Sequence, residues 1–152
     1  MKIRTARASD AKEISEILLS LSQPFFIVPD GKGANVFLES ISETAVTSYI
    51  TGENFAYYVG VETGKIVGVA AIRDNSHLYH LFVLASCQRR QIGKQLWEHA
   101  KEKAMILGNQ SGFTVNSSMN AVPVYKSFGF EQTSEMRQVD GVSFVPMALA
   151  YK

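Results

Sequence analysis

An apolar strand, a short polar turn and a basic helix start follow one another in LFVLASCQRRQIGK, residues 81–94. The first amide groups of a helix have no partner within the helix and lie at the positive end of its dipole, so they bind phosphate. Gly93 leaves room for an anion near the backbone, and Arg89, Arg90 and Lys94 form the only dense basic cluster of the sequence. The order of these elements predicts an anion-binding loop. A lone glycine with two arginines is also typical of an ordinary solvated helix start.

The composition predicts a single domain covering residues 1–152. A chain of 152 residues is long enough for one hydrophobic core and too short for two. Its 15 lysines and arginines nearly balance 14 acidic residues, which argues against a general binder of nucleic acid or of anionic membranes. We therefore expect neither nucleic acid nor a membrane as a partner.

The cysteine and histidine content argues against a metal site. Cys87 is the only cysteine, so neither an intramolecular disulfide nor a cysteine cluster can form. The three histidines do not have the spacing of a zinc site. No apolar run approaches the roughly 20 residues that cross a bilayer, and a cytoplasmic location is expected.

Hydrophobic periodicity predicts elements in the order β-α-α-β-β-β-α-β-α-β-β. Glycine turns separate several of them, most clearly Glu62-Thr63-Gly64 and Asp140-Gly141. The first helix follows Ser9-Asp10 and stops at Pro24, and a second is expected over residues 35–50. The predicted strands are 3–8, 55–61, 65–73, 77–84 and 113–116, with two more around Asp140-Gly141. A third helix is expected to pack on the core through apolar residues between 92 and 107, and a fourth helix is expected over residues 121–128.

Strand 77–84 carries two histidines on opposite sides. Side chains alternate along a strand, so His77, Tyr79, Leu81 and Val83 are expected on one face. His80 is expected on the other face, as a packing residue.

Residues 88–93 resemble the acyl-CoA loop of GNAT-type N-acetyltransferases, Gln/Arg-x-x-Gly-x-Gly/Ala. Gln88 takes its first position and Gly93 its last, while Gln91 stands where the family usually has its first glycine. A side chain is acceptable at Gln91 if the backbone keeps a conformation usual for L-residues and the side chain points away from the phosphate. VNSSMNAVPVYKSFGF, residues 115–130, resembles the next strand and helix of the family. The opening residues 3–11 resemble its first strand and helix.

The resemblance implies an α+β fold with a mixed, largely antiparallel central sheet of about seven strands and helices on both faces. It also implies an N-acetyltransferase that moves an acetyl group from acetyl-CoA directly to a primary amine. Tyr125 would then be the general acid for the coenzyme A thiolate, since a tyrosine of ordinary pKa near 10 is protonated at neutral pH. His77 would be the base, unless the amine binds in its neutral form and needs none. A half-solvated structural histidine at the entrance of a strand explains His77 equally well.

The cofactor-binding residues follow from the same resemblance. The backbones of Leu81 and Val83 would pair with the acyl and pantetheine part of acetyl-CoA like an added strand. Asn116 and Asn120 would lie near the cofactor, although Asn120 also suits a helix N-cap. The pyrophosphate would lie on the loop formed by Gln88, Arg89, Arg90, Gln91, Ile92, Gly93 and Lys94.

Two other functions and the acceptor stay open. A GNAT module that binds acyl-CoA without turnover, as a sensor or interaction subunit, is favoured only by Gln91. A nucleotide or nucleic-acid binder has no supporting glycine motif. The acceptor is a small amine or a protein amine, and a homodimer remains one of the open assemblies. The acceptor could contact aromatic residues, which also suit a core: Phe25, Phe26, Tyr57 and Tyr58. Acidic residues could attract its amine: Asp30, Glu39, Glu43, Glu53 and Asp140.

Overall fold

A computed structural model describes residues 1–151 as a mixed sheet of eight strands with five α-helices against it. The strands are β1 Lys2–Thr5, β2 Phe55–Glu62, β3 Lys65–Arg73, β4 His77–Val83, β5 Gly112–Ser117, β6 Glu131–Gln132, β7 Arg137–Val139 and β8 Val142–Ala150. The helices are α1 Ala11–Ser20, α2 Asn35–Ser40, α3 Glu43–Thr51, α4 Ile92–Ile106 and α5 Val122–Ser127. None of the helices within these residues is long and apolar enough to cross a membrane.

The sheet has the order β1-β2-β3-β4-β5-β8-β6, and β7 pairs with β8. Every pairing is antiparallel except that of β4 with β5, which are parallel. The predicted α+β fold with a largely antiparallel sheet is confirmed. Its eight strands slightly exceed the expected seven, because the two-residue strand β6 was too short to have a periodic pattern.

Two tight turns form as their sequences predict. Thr63 and Gly64 join β2 to β3 with φ of 47° and 78°, and Asp140 and Gly141 join β7 to β8 with φ of 50° and 80°. Positive φ at both central residues matches the right-handed twist of the flanking strands. These turns keep the hairpins in register on either side of β4 and β5.

The two faces of the sheet bury separate apolar clusters. On one face, Leu96 and Trp97 of α4 pack with Ile72 of β3. On the other, Ile14 of α1 and Val46 of α3 pack with strand residues of β2 and β3. We call these the α4 face and the α1 face.

The helix expected over residues 35–50 is divided in two. α2 ends at Ser40, and Ser42 begins α3 by accepting a hydrogen bond from the Ala45 amide at 3.2 Å. The Ile41 carbonyl, left without a helical partner, accepts a hydrogen bond from Ser15 Oγ at 2.6 Å. The apolar spacing continues through this break, so periodicity alone did not reveal it.

A β-bulge changes which residues of β4 share a face. Ala71 pairs with His80 but Ile72 pairs with Leu78, so Tyr79 is an extra residue. Leu78 therefore packs on the α4 face, as Leu81 and Val83 do, while the Tyr79 ring contacts Tyr49 of α3 on the α1 face. The expectation that His77 and Tyr79 share a face with Leu81 and Val83 is wrong.

His80 is a packing residue, as expected. Its ring is buried, and its Nδ1 lies 2.9 Å from the hydroxyl of Tyr57. Burial holds the pKa of His80 at about 3, so the ring is neutral at pH 7. This pair ties β4 to β2 through a satisfied polar contact within the core.

Candidate active site

The parallel strands β4 and β5 diverge almost as soon as they meet. Within the described residues they pair only at His77 with Thr114 and Leu78 with Val115. β5 then follows β8 along its whole length. A gap therefore opens in the middle of the sheet beside the second half of β4.

The backbone groups of β4 that face this gap belong to Leu81 and Val83. The Leu84 amide donates to Val67 of β3 at 2.9 Å, and the groups of an antiparallel strand alternate in direction. The amide and carbonyl groups of Leu81 and Val83 thus point away from β3. The Val83 carbonyl accepts a hydrogen bond from the Gln88 side chain at 3.0 Å.

A cavity of about 1070 Å³ occupies the gap and opens on both faces of the sheet. Its walls come from β4, from the start of α4, from the segment joining β5 to α5, and from the chain that follows α1. Its lining includes Leu21, Pro24, Phe25, Tyr79, Leu81, Phe82, Val83, Gln88, Arg89, Gln91, Ile92, Gly93, Lys94, Asn116, Asn120 and Tyr125.

The loop from Gln88 to Lys94, here called the anchor loop, turns through two left-handed residues before α4 begins at Ile92. Arg89 and Gln91 both have φ of 64°. Turns of this kind direct successive backbone amides toward one side and form anion-binding concavities. The helix start adds its free amides and its dipole at the same place.

Gln91 departs from the expected backbone conformation. The condition for a side chain at this position is a backbone conformation usual for L-residues, but the φ of 64° and ψ of 14° of Gln91 are left-handed. This conformation costs roughly 1–2 kcal/mol for a residue with a Cβ atom. The glutamine therefore takes the backbone geometry that a glycine adopts freely, and it lines the cavity.

The three cations of the loop are not equivalent. Arg89 and Lys94 line the cavity and are its only charged lining residues within the described chain. Arg90 turns away and forms an ion pair with Glu62 at the end of β2, with 2.7 Å between its guanidinium nitrogen and the carboxylate oxygen. The structure thus brings two of the three predicted cations to the cavity.

Gly93 is not required by the packing of the protein itself. A Cβ atom built there would lie 3.6 Å from Val83 Cγ2, which is an ordinary contact. Its φ does not fall in the left-handed region. The open space beside Gly93 belongs to the cavity, as expected of a glycine that admits a ligand. Ile92 next to it buries its side chain on the α4 face.

Tyr125 lies at the wall of the cavity formed by α5. Its side chain is 7% exposed, and its ring packs edge-on against Phe128 and Phe130. Burial raises the pKa of its hydroxyl well above the usual 10, so it stays protonated at neutral pH. No other group of residues 1–151 hydrogen-bonds this hydroxyl. It is a proton donor beside an open cavity.

Asn116 and Asn120 also line the cavity, from β5 and from the short 3-10 turn before α5. The N-cap residue of α5 is Ala121, so Asn120 does not cap that helix. Both residues line the cavity, and their contact with the cofactor stays a prediction.

His77 lies outside the described cavity lining. Its Nδ1 is 2.7 Å from the Thr114 hydroxyl, at the point where β4 and β5 pair. Burial, and then repulsion by Arg73, lowers the pKa of its imidazole to about 4. The ring is neutral at pH 7, but the structure does not bring it together with Tyr125 and the anchor loop.

A family model described as an acetyltransferase (GNAT) domain matches residues 26–151. The chain belongs to the GNAT acetyltransferase family. A search of curated proteins finds no match to this sequence.

Solved structures of GNAT proteins share the fold over nearly the whole chain. A protein described as a GCN5-related N-acetyltransferase, aminotransferase class II, from Rhodopseudomonas palustris has a TM-score of 0.81 at 17% identity, covering 99% of this chain and 95% of that chain. The PaiA N-acetyltransferase of Thermoplasma acidophilum, solved with coenzyme A, has a TM-score of 0.77 at 16% identity, covering 99% of this chain and 98% of that chain. The ribosomal-protein-S18-alanine N-acetyltransferase of Escherichia coli has a TM-score of 0.71 at 21% identity, covering 98% of this chain and 92% of that chain. Identities this low show a shared fold.

Sequence reasoning missed the two β4 residues, Tyr79 and Phe82, that line this GNAT cavity on the α1 face. Phe25 was one of several aromatic candidates, and it does line the cavity, whereas Tyr57 and Tyr58 are buried in the two cores. Tyr79 and Phe82 were not proposed as site residues. The alternation assumed for β4 hid the bulge that turns Tyr79 toward α3.

The left-handed residue Gln91 gives a stability prediction. Replacing Gln91 with glycine should raise the free energy of unfolding by about 0.5–1 kcal/mol, because relief of backbone strain exceeds the entropy that glycine adds to the unfolded chain. The matched control is Gln95→Gly, an equally exposed glutamine inside α4, which should lower the same quantity by about 1 kcal/mol. Urea unfolding of both variants measures the difference. Equal losses in the two variants would contradict the left-handed assignment.

Proposed function

We propose that this GNAT protein is an N-acetyltransferase that uses acetyl-CoA and transfers the acetyl group directly to a primary amine. The observation that carries the proposal is the gap between β4 and β5, which joins the anchor loop to the hydroxyl of Tyr125. The backbone groups of Leu81 and Val83 face this gap without a strand partner. An anion site, a free strand edge and a proton donor thus lie along one cavity.

The residues of the gap fit coenzyme A. Arg89, Lys94 and the free amides of the anchor loop are suited to a pyrophosphate, and Gly93 leaves the room that it needs. Arg90 would also bind the pyrophosphate if its ion pair with Glu62 broke. Breaking that pair costs little free energy, because an exposed ion pair contributes little to stability. The PaiA relative from Thermoplasma acidophilum was solved with coenzyme A, which supports the same ligand here.

The pantetheine arm of coenzyme A is the part that fits the strand edge. An extended chain with amide groups pairs with an open edge as an added strand does. Leu81 and Val83 offer their backbone groups, and the amide side chains of Asn116 and Asn120 line the same space. Gln88, which holds the Val83 carbonyl, would release it when this edge is filled.

Tyr125 then supplies the proton that the reaction needs. When bound, acetyl-CoA supplies an acyl group on a thioester. The Tyr125 hydroxyl is protonated throughout the neutral range because burial raises its pKa. It would donate to the sulfur as the carbon–sulfur bond breaks and would regain a proton, through water, from the newly acylated nitrogen. Backbone amides facing the gap would stabilise charge on the acyl oxygen.

The amine would enter in its neutral form. His77 is the sequence candidate for a base, but it lies outside the described lining, and no carboxylate of residues 1–151 lines the cavity. An amine that enters an apolar pocket without a carboxylate partner has a lowered pKa and loses its proton to solvent on entry. We therefore assign the deprotonation step to water.

Gly93→Glu tests the anchor loop. A carboxylate beside the phosphate site should raise the dissociation constant for acetyl-CoA by at least about 100-fold through repulsion and lost space. The control is Gly93→Ala, whose methyl group fits the structure and should change this constant by only about threefold. Calorimetric titration measures both, with thermal unfolding to show that the variants fold. Normal binding by Gly93→Glu would remove the anchor loop from the account.

Tyr125→Phe tests the proton donor. Loss of the hydroxyl should lower kcat by about 100-fold and change the dissociation constant of acetyl-CoA by no more than about twofold, since general acids typically contribute that much to rate. Free-thiol release measures kcat, and calorimetry measures binding. In the unmodified protein, ionisation of Tyr125 should cause no loss of activity up to pH 10. Unchanged kcat in the variant would assign the proton to another donor.

A further inference from the structure

The cavity has a second end, on the α1 face, that differs in chemistry from the anchor loop. Phe82 packs on this face, and its ring centroid lies 6.3 Å from that of Phe25 in the chain after α1. We call this end the acceptor chamber. It is lined by Leu21, Pro24, Phe25, Tyr79 and Phe82.

A chain of hydrogen bonds fixes the proton of Tyr79. The Tyr49 hydroxyl donates to the Ser40 carbonyl at 2.8 Å, because a carbonyl oxygen can only accept. The two phenol oxygens of Tyr49 and Tyr79 are 3.2 Å apart, so Tyr79 must donate its proton to Tyr49. The capacity that remains on the Tyr79 oxygen is that of an acceptor.

The ring of Tyr79 is held in place on several sides. Its centroid lies 5.3 Å from that of Tyr49 and 5.2 Å from that of Phe55, both edge-on. The guanidinium carbon of Arg73 is 5.3 Å from the same centroid. Tyr79 thus presents a hydrogen-bond acceptor on a side chain with little freedom to move.

The charges around the cavity select against acceptors with several cations. Arg89 and Lys94, the only charged lining residues within the described chain, would be paired with the pyrophosphate of bound acetyl-CoA, so the cation near the acceptor is Arg73 beside Tyr79. The acidic residues considered from the sequence, Asp30, Glu39, Glu43, Glu53 and Asp140, all lie outside the described lining. A polyamine or aminoglycoside would lose its hydration here without gaining a carboxylate partner.

We propose that the acceptor is a primary monoamine with an apolar, preferably aromatic, body, and that Tyr79 positions its nitrogen by accepting a hydrogen bond from the amine N–H. The apolar body fills the acceptor chamber against Phe25 and Phe82. The amine then meets the acyl group at the gap between β4 and β5. This inference rests on the acetyl-transfer function proposed above, and it names the acceptor class.

The experiment compares acceptors at saturating acetyl-CoA by free-thiol release. The probes are phenethylamine, spermidine, kanamycin and a hexapeptide with an amino-terminal alanine. Phenethylamine should give a kcat/KM at least about tenfold above each of the others, because only its body gains from an apolar chamber.

Tyr79→Phe tests the positioning role directly. The variant keeps the ring and loses the acceptor oxygen, so the KM for phenethylamine should rise about fivefold to tenfold while kcat and the KM for acetyl-CoA stay within about twofold. The control is Tyr58→Phe, a tyrosine of β2 packed on the α4 face against His99, which should leave all three constants unchanged. A general loss of structure would change kcat and both KM values together.

Three results would contradict different parts of this proposal. Faster turnover of spermidine, kanamycin or the peptide overturns the acceptor class and leaves acetyl transfer standing. An unchanged KM for phenethylamine in Tyr79→Phe overturns the role of Tyr79. Acetyl-CoA binding with no thiol release from any probe overturns the proposed function and this inference together.

Discussion

The absence of β4–β5 hydrogen bonds beyond Leu78 is the constraint on which the cavity depends. A strand in the middle of a sheet normally pairs on both sides, and an unpaired buried amide or carbonyl costs about 1–3 kcal/mol. β5 leaves β4 because it pairs with β8 along its whole length. The groups of Leu81 and Val83 are left facing an open space, where a ligand with amide groups of its own can satisfy them.

The two ends of that space are lined by different kinds of residues because they lie on opposite faces of the sheet. The α4 face contributes a helix start, two left-handed loop residues and the cations Arg89 and Lys94. The α1 face contributes aromatic rings and a phenol oxygen whose proton is already donated to Tyr49. In the proposed reaction, an anionic cosubstrate and an apolar amine would therefore enter from different sides and meet at the gap beside Tyr125.

Features encoded within a few neighbouring residues could be predicted from the sequence. The hairpin turns at Gly64 and Gly141 and the helix that begins after the anchor loop have local patterns, whereas the role of Tyr125 follows only from the family resemblance. Features set by distant contacts could not. The bulge at Tyr79 depends on its register with β3, and the ion pair of Arg90 with Glu62 joins residues far apart in the chain. Glutamine itself gives no signal for the left-handed backbone of Gln91, because it rarely adopts it, and only the glycine usual at this position of the family indicates it.

Amide hydrogen exchange of β4 with and without acetyl-CoA tests the central claim most directly. Saturating acetyl-CoA should slow exchange of the Leu81 and Val83 amides, which face the gap, because the bound ligand completes the strand edge. The amides of His80 and Phe82 point toward β3 and serve as an internal reference whose exchange should change little. Binding of acetyl-CoA with no added protection at Leu81 and Val83 would contradict the account.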